Sequence, residues 1–135
     1  MEKILVTGGA GYIGTLVIPM LLERGCRVVL FDNFSWGIKP ILHFAAHPNL
    51  EIVTGDVRDA EKVASAIKDC DTVIHLAAIV GYPACAAKPR EAISINVDGT
   101  KNVVRHCHNR RLVFASTGST YGKIEGVCTE DTPIA

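Results

Sequence analysis

The residues of this 135-residue chain whose types and spacing could do chemistry are three glycines and two carboxylates, each placed directly after an apolar run. Gly8, Gly11 and Gly14 follow Ile4-Leu5-Val6-Thr7 in the stretch Thr7-Gly8-Gly9-Ala10-Gly11-Tyr12-Ile13-Gly14. A glycine-rich turn from a buried strand into a helix aims unpaired N–H groups and the positive end of the helix dipole at one point, a seat for an anion. Gly8 permits a sharp exit from the strand. Gly11 lets the main chain approach a pyrophosphate without a Cβ in the way, and Gly14 lets the helix pack close against the sheet. The spacing is G-x-x-G-x-x-G, so the turn alone is a weak signal and its context decides. A P-loop is disfavoured because Thr15 follows Gly14 where the phosphate-binding lysine would stand.

The carboxylates supply that context. Asp32 ends the apolar run Arg27 to Phe31, about twenty residues after the cradle, where an acidic side chain accepts hydrogen bonds from both hydroxyls of an adenosine ribose and repels a 2′-phosphate. The next residues, Asn33-Phe34-Ser35-Trp36-Gly37, hold no arginine, which favours NAD over NADP. Asp56 follows Leu50 to Thr54, at a strand end suited to accepting a bond from an adenine amino group. Plain turn formation is the competing reading for both aspartates.

Elements alternating between strand and helix must position these groups. The continuous apolar run Ile4 to Val6 reads as a strand buried on both faces of a parallel sheet. Tyr12 to Arg24 is predicted as a helix with Ile13, Leu16, Val17, Met20 and Leu21 facing inward, Gly25 as its stop and a kink at Pro19. Further strands are expected over Arg27 to Phe31, Leu50 to Thr54, Asp71 to Ala78 and Leu112 to Ala115. The small residues ending the fourth strand would let a flat ring or a ribose lie against the backbone. Helices are expected over Asp59 to Lys68, N-capped by Asp59, and over Arg90 to Arg110 with Ile93, Val97, Val103 and Val104 toward the sheet. Trp36 to Pro48 and the Gly81 to Ala87 stretch read as loops, the first with room for a short helix. The alternation implies an α/β doubly wound parallel sheet of order 3-2-1-4-5, with ligand beyond its C-terminal edge between strands one and four.

A chain of this length, 48% hydrophobic and 21% charged, suits one domain over residues 1–135. Net charge is zero with scattered basic residues, which argues against a nucleic-acid partner or an acidic membrane surface. No apolar run reaches membrane-span length and the N-terminus enters a strand directly, so a cytoplasmic location is expected. The five cysteines stand singly, as reduced thiols serving mainly as small core residues would. His43 and His47 are four apart but lack a third ligand, and His106 and His108 flank Cys107 too closely to converge, so no metal is expected.

Taken together, Thr7 to Gly14, Asp32-Asn33, Gly55-Asp56-Val57-Arg58-Asp59, His75-Leu76-Ala77-Ala78, Asn96-Val97-Asp98-Gly99-Thr100, Ala115-Ser116-Thr117 with Tyr121-Gly122, and Thr129-Glu130-Asp131-Thr132-Pro133 resemble, along the whole length, the NAD-dependent epimerase/dehydratase group of extended short-chain dehydrogenases/reductases. The resemblance implies an NAD-binding Rossmann domain. It implies that Tyr12 and Ile13 place their N–H groups on the pyrophosphate, and that Asp32 with Asn33, Phe34 and Ser35 binds the adenosine ribose. Asp56 and Val57 would hold the adenine, Leu76, Ala77 and Ala78 would line the cofactor, and Asn96 would orient a loop beside it. Thr117 would hydrogen-bond the reacting hydroxyl of a nucleotide-sugar substrate, with Ser119 a second candidate.

In such enzymes a tyrosine with a lysine four residues on removes the hydroxyl proton while hydride moves to the nicotinamide. Tyr121 has Glu125 in that position, and the family's pair lies beyond the Thr129 to Pro133 segment. The chain is therefore expected to be the N-terminal cofactor portion of a longer enzyme, inactive by itself and prone to self-association or homodimer formation through helix and sheet-edge surfaces. The alternative, from a different class, is a stand-alone NAD-binding module that does no chemistry.

Overall fold

The computed structural model describes residues 1–123 and 125–134. Its first strand, β1 (Lys3–Thr7), is buried along nearly its whole length, as its uninterrupted apolar run requires. On either side it pairs in parallel with β2 (Arg27–Asp32) and β4 (Thr72–His75); β3 (Leu50–Thr54) lies outside β2 and β5 (Arg111–Phe114) outside β4. The order is β3-β2-β1-β4-β5, as the alternation of elements predicts. Side chains of a strand alternate between faces, so β1 feeds two cores. Ile4 and Val6 pack with Val28, Leu30, Ile18 and Leu22 beneath α1 (Gly14–Glu23). Leu5 packs on the other face with Val29, Phe31, Val63, Ile67 and Val103, beneath α2 (Ala60–Ile67) and the helical run that precedes β5.

Several boundaries and faces depart from the sequence expectations. Helix α1 begins at Gly14, because Tyr12 and Ile13 still belong to the glycine turn, and it buries Gly14, Ile18 and Leu22 while Ile13, Leu16 and Met20 are at least half exposed. Apolar residues occur all round this helix, so spacing could not single out the inward stripe; the shape of the turn did. Pro19 stands inside the helix, where it withholds the N–H that the Thr15 carbonyl would otherwise accept. The helix expected over Arg90 to Arg110 is a composite of α4 (Pro89–Ile93), a π-helical segment Ser94–Gly99 and α5 (Thr100–His106), preceded by the short α3 (Tyr82–Ala87) in place of a loop. Its inward residues are Ala92, Ile95, Gly99 and Val103, whereas Ile93, Val97 and Val104 are exposed. The inward positions keep a spacing near 3.6 residues and include Val103 as expected, but the larger apolar residues Ile93, Val97 and Val104 lie on a flank of that stripe, so apolar size alone points away from it. The fourth strand stops at His75, short of the expected Ala78. Asp59 does cap α2, accepting a hydrogen bond from the Lys62 N–H at 3.1 Å.

The cysteines are free thiols; Cys70 and Cys107 sit in the core, where burial pushes both thiols up. Among the described residues no three His, Cys, Asp or Glu side chains gather into a metal-binding group, and no helix is long and apolar enough to cross a membrane.

Three side chains join the centre of the sheet to the composite helix. Thr7 on β1 and His75 on β4 are register partners, both buried, with Thr7 Oγ1 2.6 Å from His75 Nδ1. His75 Nε2 lies 2.9 Å from Thr100 Oγ1, which donates to the Asn96 carbonyl at 2.7 Å. Because the Thr100 proton is committed to that carbonyl, Thr100 must accept from Nε2–H, which leaves Nδ1 to accept from the Thr7 hydroxyl. Thr7 Oγ1 in turn accepts the N–H groups of Leu76 and Ala77, each at 3.3 Å. Every polar atom of the chain of bonds is satisfied only when His75 is neutral, and burial lowers its pKa to about 4.

The linkage has a definite sign. The unfolded chain takes up a proton on His75 near pH 6.5 while the folded chain resists until about pH 4, so stability falls as pH drops through that window. Between pH 7.5 and 5.5 His75 should account for a loss of about 1 kcal/mol, at roughly 1.4 kcal/mol per pH unit below 6.5. Denaturant unfolding at the two pH values, compared with His75→Gln, checks this. The variant should be less stable at pH 7.5 but lose about 1 kcal/mol less on acidification; equal losses in the two proteins would contradict a neutral buried imidazole.

Candidate dinucleotide-binding cleft

The C-terminal ends of β1, β2, β3 and β4 open onto one cleft of about 490 Å³, within the range of small-molecule sites. It lies where the order of strands reverses between β1 and β4, the switch point of a doubly wound sheet. Of the residues singled out in the sequence, it gathers Gly8 and Gly11 from the first turn, Asp32, Asn33 and Ser35 after β2, Asp56 and Val57 after β3, and Leu76, Ala77 and Ala78 after β4.

The glycine turn is built by close approaches of main chain. Gly8 has φ +70°, and a Cβ there would lie 2.7 Å from the Ala77 nitrogen, so the turn can pass the end of β4 only with glycine at this position. Gly14 has a different neighbour from the one expected: a Cβ on it would meet Gly8 O and Gly9 backbone at 2.6 Å, so it seats the helix on the turn itself. The approach to the sheet layer is made by Gly9, whose Cβ would fall 2.6 Å from the Leu30 side chain and 2.9 Å from Ile18. Gly11 donates to Gly8 O at 3.0 Å and its carbonyl accepts from Thr15. Among the described residues none accepts a hydrogen bond from the N–H groups of Tyr12, Ile13 or Gly14, which leaves the donors at the start of α1 available to an anion.

Asp32 is fixed by the backbone on both sides. Its Oδ2 accepts from the Ala10 N–H at 3.0 Å and its Oδ1 from the Phe34 N–H at 2.8 Å. Phe34 adopts φ 55°, an uncommon conformation for a bulky residue, and its ring packs onto the core cluster under α1. An ionised carboxylate has about four acceptor positions, so each Asp32 oxygen keeps one. Asn33 Oδ1 accepts from both the N–H and the hydroxyl of Ser35, at 3.0 and 2.6 Å, and closes the loop after β2.

Asp56 is gripped by Arg58. The guanidinium contacts both carboxylate oxygens, Nε to Oδ1 at 2.9 Å and Nη2 to Oδ2 at 2.6 Å, and the Arg58 N–H adds a third bond to Oδ1 at 2.9 Å. Arg58 therefore holds the Asp56 carboxyl below the usual carboxylate range, against the opposing effect of partial burial. On the β4 side, Asn96 clasps Ile79: its Oδ1 accepts the Ile79 N–H and its Nδ2 donates to the Ile79 carbonyl, both at 2.8 Å. The loop after β4 is thereby tied to the π segment of the helix.

Other singled-out residues stand apart from the cleft wall. Tyr12 and Ile13 project their side chains into solvent, Gly14 and Phe34 pack elsewhere, and Asn96 acts from behind the loop. Thr117 is exposed beyond β5, where its hydroxyl accepts the Ser119 N–H at 3.1 Å and starts a single 3₁₀ turn, Gly118–Tyr121. In return the cleft includes residues that sequence reasoning did not select: Phe31, Trp36, Ile79 and, across from the β2 loop, Ala84, Lys88 and Glu91. Ala84 comes from α3, which had read as loop, Glu91 from α4, and Lys88 stands at the junction between the two helices. Only Trp36, inside the loop after Asp32, carried a visible signal.

The chain matches the NAD dependent epimerase/dehydratase family over residues 4–135. It is 35% identical over 132 residues to the UDP-N-acetyl-alpha-D-glucosaminuronate decarboxylase of Bacillus cytotoxicus, a match that takes in 96% of this chain and 41% of that protein. It is 37% identical over 126 residues to the 3-beta-hydroxysteroid dehydrogenase of Mycolicibacterium neoaurum, covering 88% of this chain and 33% of the relative. Among solved structures, the UDP-glucose 4-epimerase of Thermus thermophilus in complex with NAD superposes with a TM-score of 0.86 at 30% identity, over 99% of this chain and 44% of that one. The chain thus spans less than half the length of the relatives it matches. With cleft, glycine turn and sequence in agreement, the chain belongs to the NAD-dependent epimerase/dehydratase family.

Proposed function

We propose that residues 1–135 form the NAD-binding domain of an enzyme that oxidises a hydroxyl of a nucleotide sugar by hydride transfer to NAD. The observation that carries this reading is Asp32: a carboxylate at the cleft wall, held by two backbone N–H groups, with one acceptor position left on each oxygen. That arrangement suits the two hydroxyls of an adenosine ribose, and its negative charge disfavours a 2′-phosphate. The available N–H groups of Tyr12 and Ile13 would take the pyrophosphate, Asp56 and Val57 the adenine, and the small residues Ala77 and Ala78 the flat remainder of the cofactor. Asn33 and Ser35 would complete the ribose contacts, and Asn96 would keep the Leu76 to Ile79 loop in register with the cleft. The nicotinamide, when bound, supplies the hydride acceptor. Thr117 is assigned the hydrogen bond to the reacting sugar hydroxyl.

Residues 1–135 contain no Tyr-x-x-x-Lys, so the domain by itself is proposed to bind NAD without turning over a nucleotide sugar. Its helical run exposes Ile93, Val97 and Val104, and β5 exposes Val113 and Phe114; apolar surface of this kind supports self-association.

Calorimetric titration tests the binding claim. Asp32→Ala should weaken NAD binding by about 2 kcal/mol, roughly thirtyfold, through loss of charge-assisted ribose bonds. Tighter binding of NADP than of NAD by the unsubstituted protein would overturn the assignment. Purified residues 1–135 should also give no sustained oxidation, epimerisation or dehydration of a nucleotide sugar, because a missing proton acceptor costs about a hundredfold or more. Turnover at ordinary enzymatic rates would mean that the proton acceptor lies within these residues. Light scattering over a concentration series should report a mass rising above the monomer's; a constant monomer mass would contradict the association.

A further inference from the structure

We propose that Arg58 is a positioning residue that fixes Asp56 as an acceptor for the base, and so sets the preference of the cleft for an amino purine over a keto purine. The proposal rests on the reading of the cleft as a dinucleotide site and deepens it. Arg58 spends three donors on Asp56, two on Oδ1 and one on Oδ2. With about two acceptor positions per carboxylate oxygen, Oδ1 is filled and Oδ2 keeps one. The Asn33 amide, from the loop after β2, adds a weaker pull toward the ionised form.

Arg58 is itself held from behind. Its Nη1 donates to Ser94 Oγ at 3.3 Å, at the start of the π segment, and its carbonyl accepts from Asn102 Nδ2 at 3.0 Å. Asn102 also bonds the Val57 carbonyl at 3.0 Å. The carboxylate is thus locked in rotation by a planar fork, and the fork is locked to a helix packed on the sheet. A lysine could replace the charge but not the two-point geometry.

An ionised carboxylate is acceptor-only. Against its remaining position a 6-amino group finds a partner, whereas a 6-keto oxygen in the same place meets a second acceptor, and the keto purine's neighbouring N1–H reaches the carboxylate only if the carboxylate or the base shifts. Were the carboxylate free to turn, it could follow N1–H and either base could be accommodated. Rigidity imposed by Arg58 converts a carboxylate near the base into a discriminating one.

The test titrates the protein with NAD and with nicotinamide hypoxanthine dinucleotide, which carries a keto group in place of the 6-amino group. Trp36, the chain's one tryptophan, lines the cleft and gives a fluorescence readout alongside calorimetry. The unsubstituted protein should favour NAD by about tenfold or more. Arg58→Ala and Arg58→Lys should both bring the ratio at least about fivefold closer to one, and in an Asp56→Ala background neither should change it further. Because the Arg58 side chain is 40% exposed, both variants should fold. Equal weakening of the two dinucleotides, or a restored ratio in Arg58→Lys, would overturn the positioning role while leaving the cleft assignment intact. Binding of neither dinucleotide to the unsubstituted protein would overturn the cleft assignment itself, and this proposal with it.

Discussion

The hydrogen-bond chain through Thr7, His75 and Thr100 is the constraint on which the site depends. It sits at the one place in the sheet where neighbouring strands send their connections to opposite faces, so that the chain after β1 and the chain after β4 diverge and open a crevice. Diverging loops there leave backbone groups without ladder partners, which is costly in a buried setting. Thr7 Oγ1 takes up the N–H of Ala77 and shares that of Leu76 with the Thr7 carbonyl, which accepts it at 3.1 Å, while His75 carries the connection across to the helix. The buried polar chain therefore holds the crevice open in a fixed shape. A buried network of this kind is favourable only when each member is satisfied, and here one tautomer of a neutral His75 satisfies them all.

From that chain the two walls of the cleft are placed by a single helical run. Asn96, whose carbonyl ends the chain, holds Ile79 and with it the loop that carries Leu76 to Ala78. Further along the run, Asn102 holds the carbonyls of Val57 and Arg58, and Gly99 lies flat against the Val57 side chain, where a Cβ would collide. Residues 89–106 thus register the β3 side of the cleft against the β4 side. The π segment spans Asn96 and Gly99 and leads into the turn that carries Asn102.

The sheet order was legible because each buried strand is a short apolar run ending in glycine, aspartate or small residues, and alternation with helices leaves few topologies. The cradle was legible too, since Gly8 needs its positive φ and lies against backbone. Helix faces were not. In α1 the apolar residues surround the axis, and in residues 89–106 large apolar residues flank an inward stripe that includes the small Ala92 and Gly99, so the inward face is decided by tertiary fit. The partnerships that rigidify the site were hidden for another reason. Thr7 and His75 are 68 residues apart, and Arg58 looks like an ordinary charged turn residue until Asp56 and Ser94 are seen on either side of it. Lys88 and Glu91 line the cleft from the junction of α3 and α4 and from α4, positions that no glycine turn or strand end marks in the sequence.

Backbone amide chemical shifts followed during a titration with NAD measure most directly whether this crevice is where a dinucleotide binds. Saturable shifts should concentrate at Gly8 to Gly14, Asp32 to Trp36, Asp56 to Arg58 and Leu76 to Ile79, with the free N–H groups of Tyr12 and Ile13 among the most displaced. The groove between α2 and β3, lined by Lys62, Ser65 and Thr54 on another part of the surface, should stay unperturbed. Shifts gathered in that groove, or none that saturate, would contradict a dinucleotide site built on the Thr7–His75 crevice.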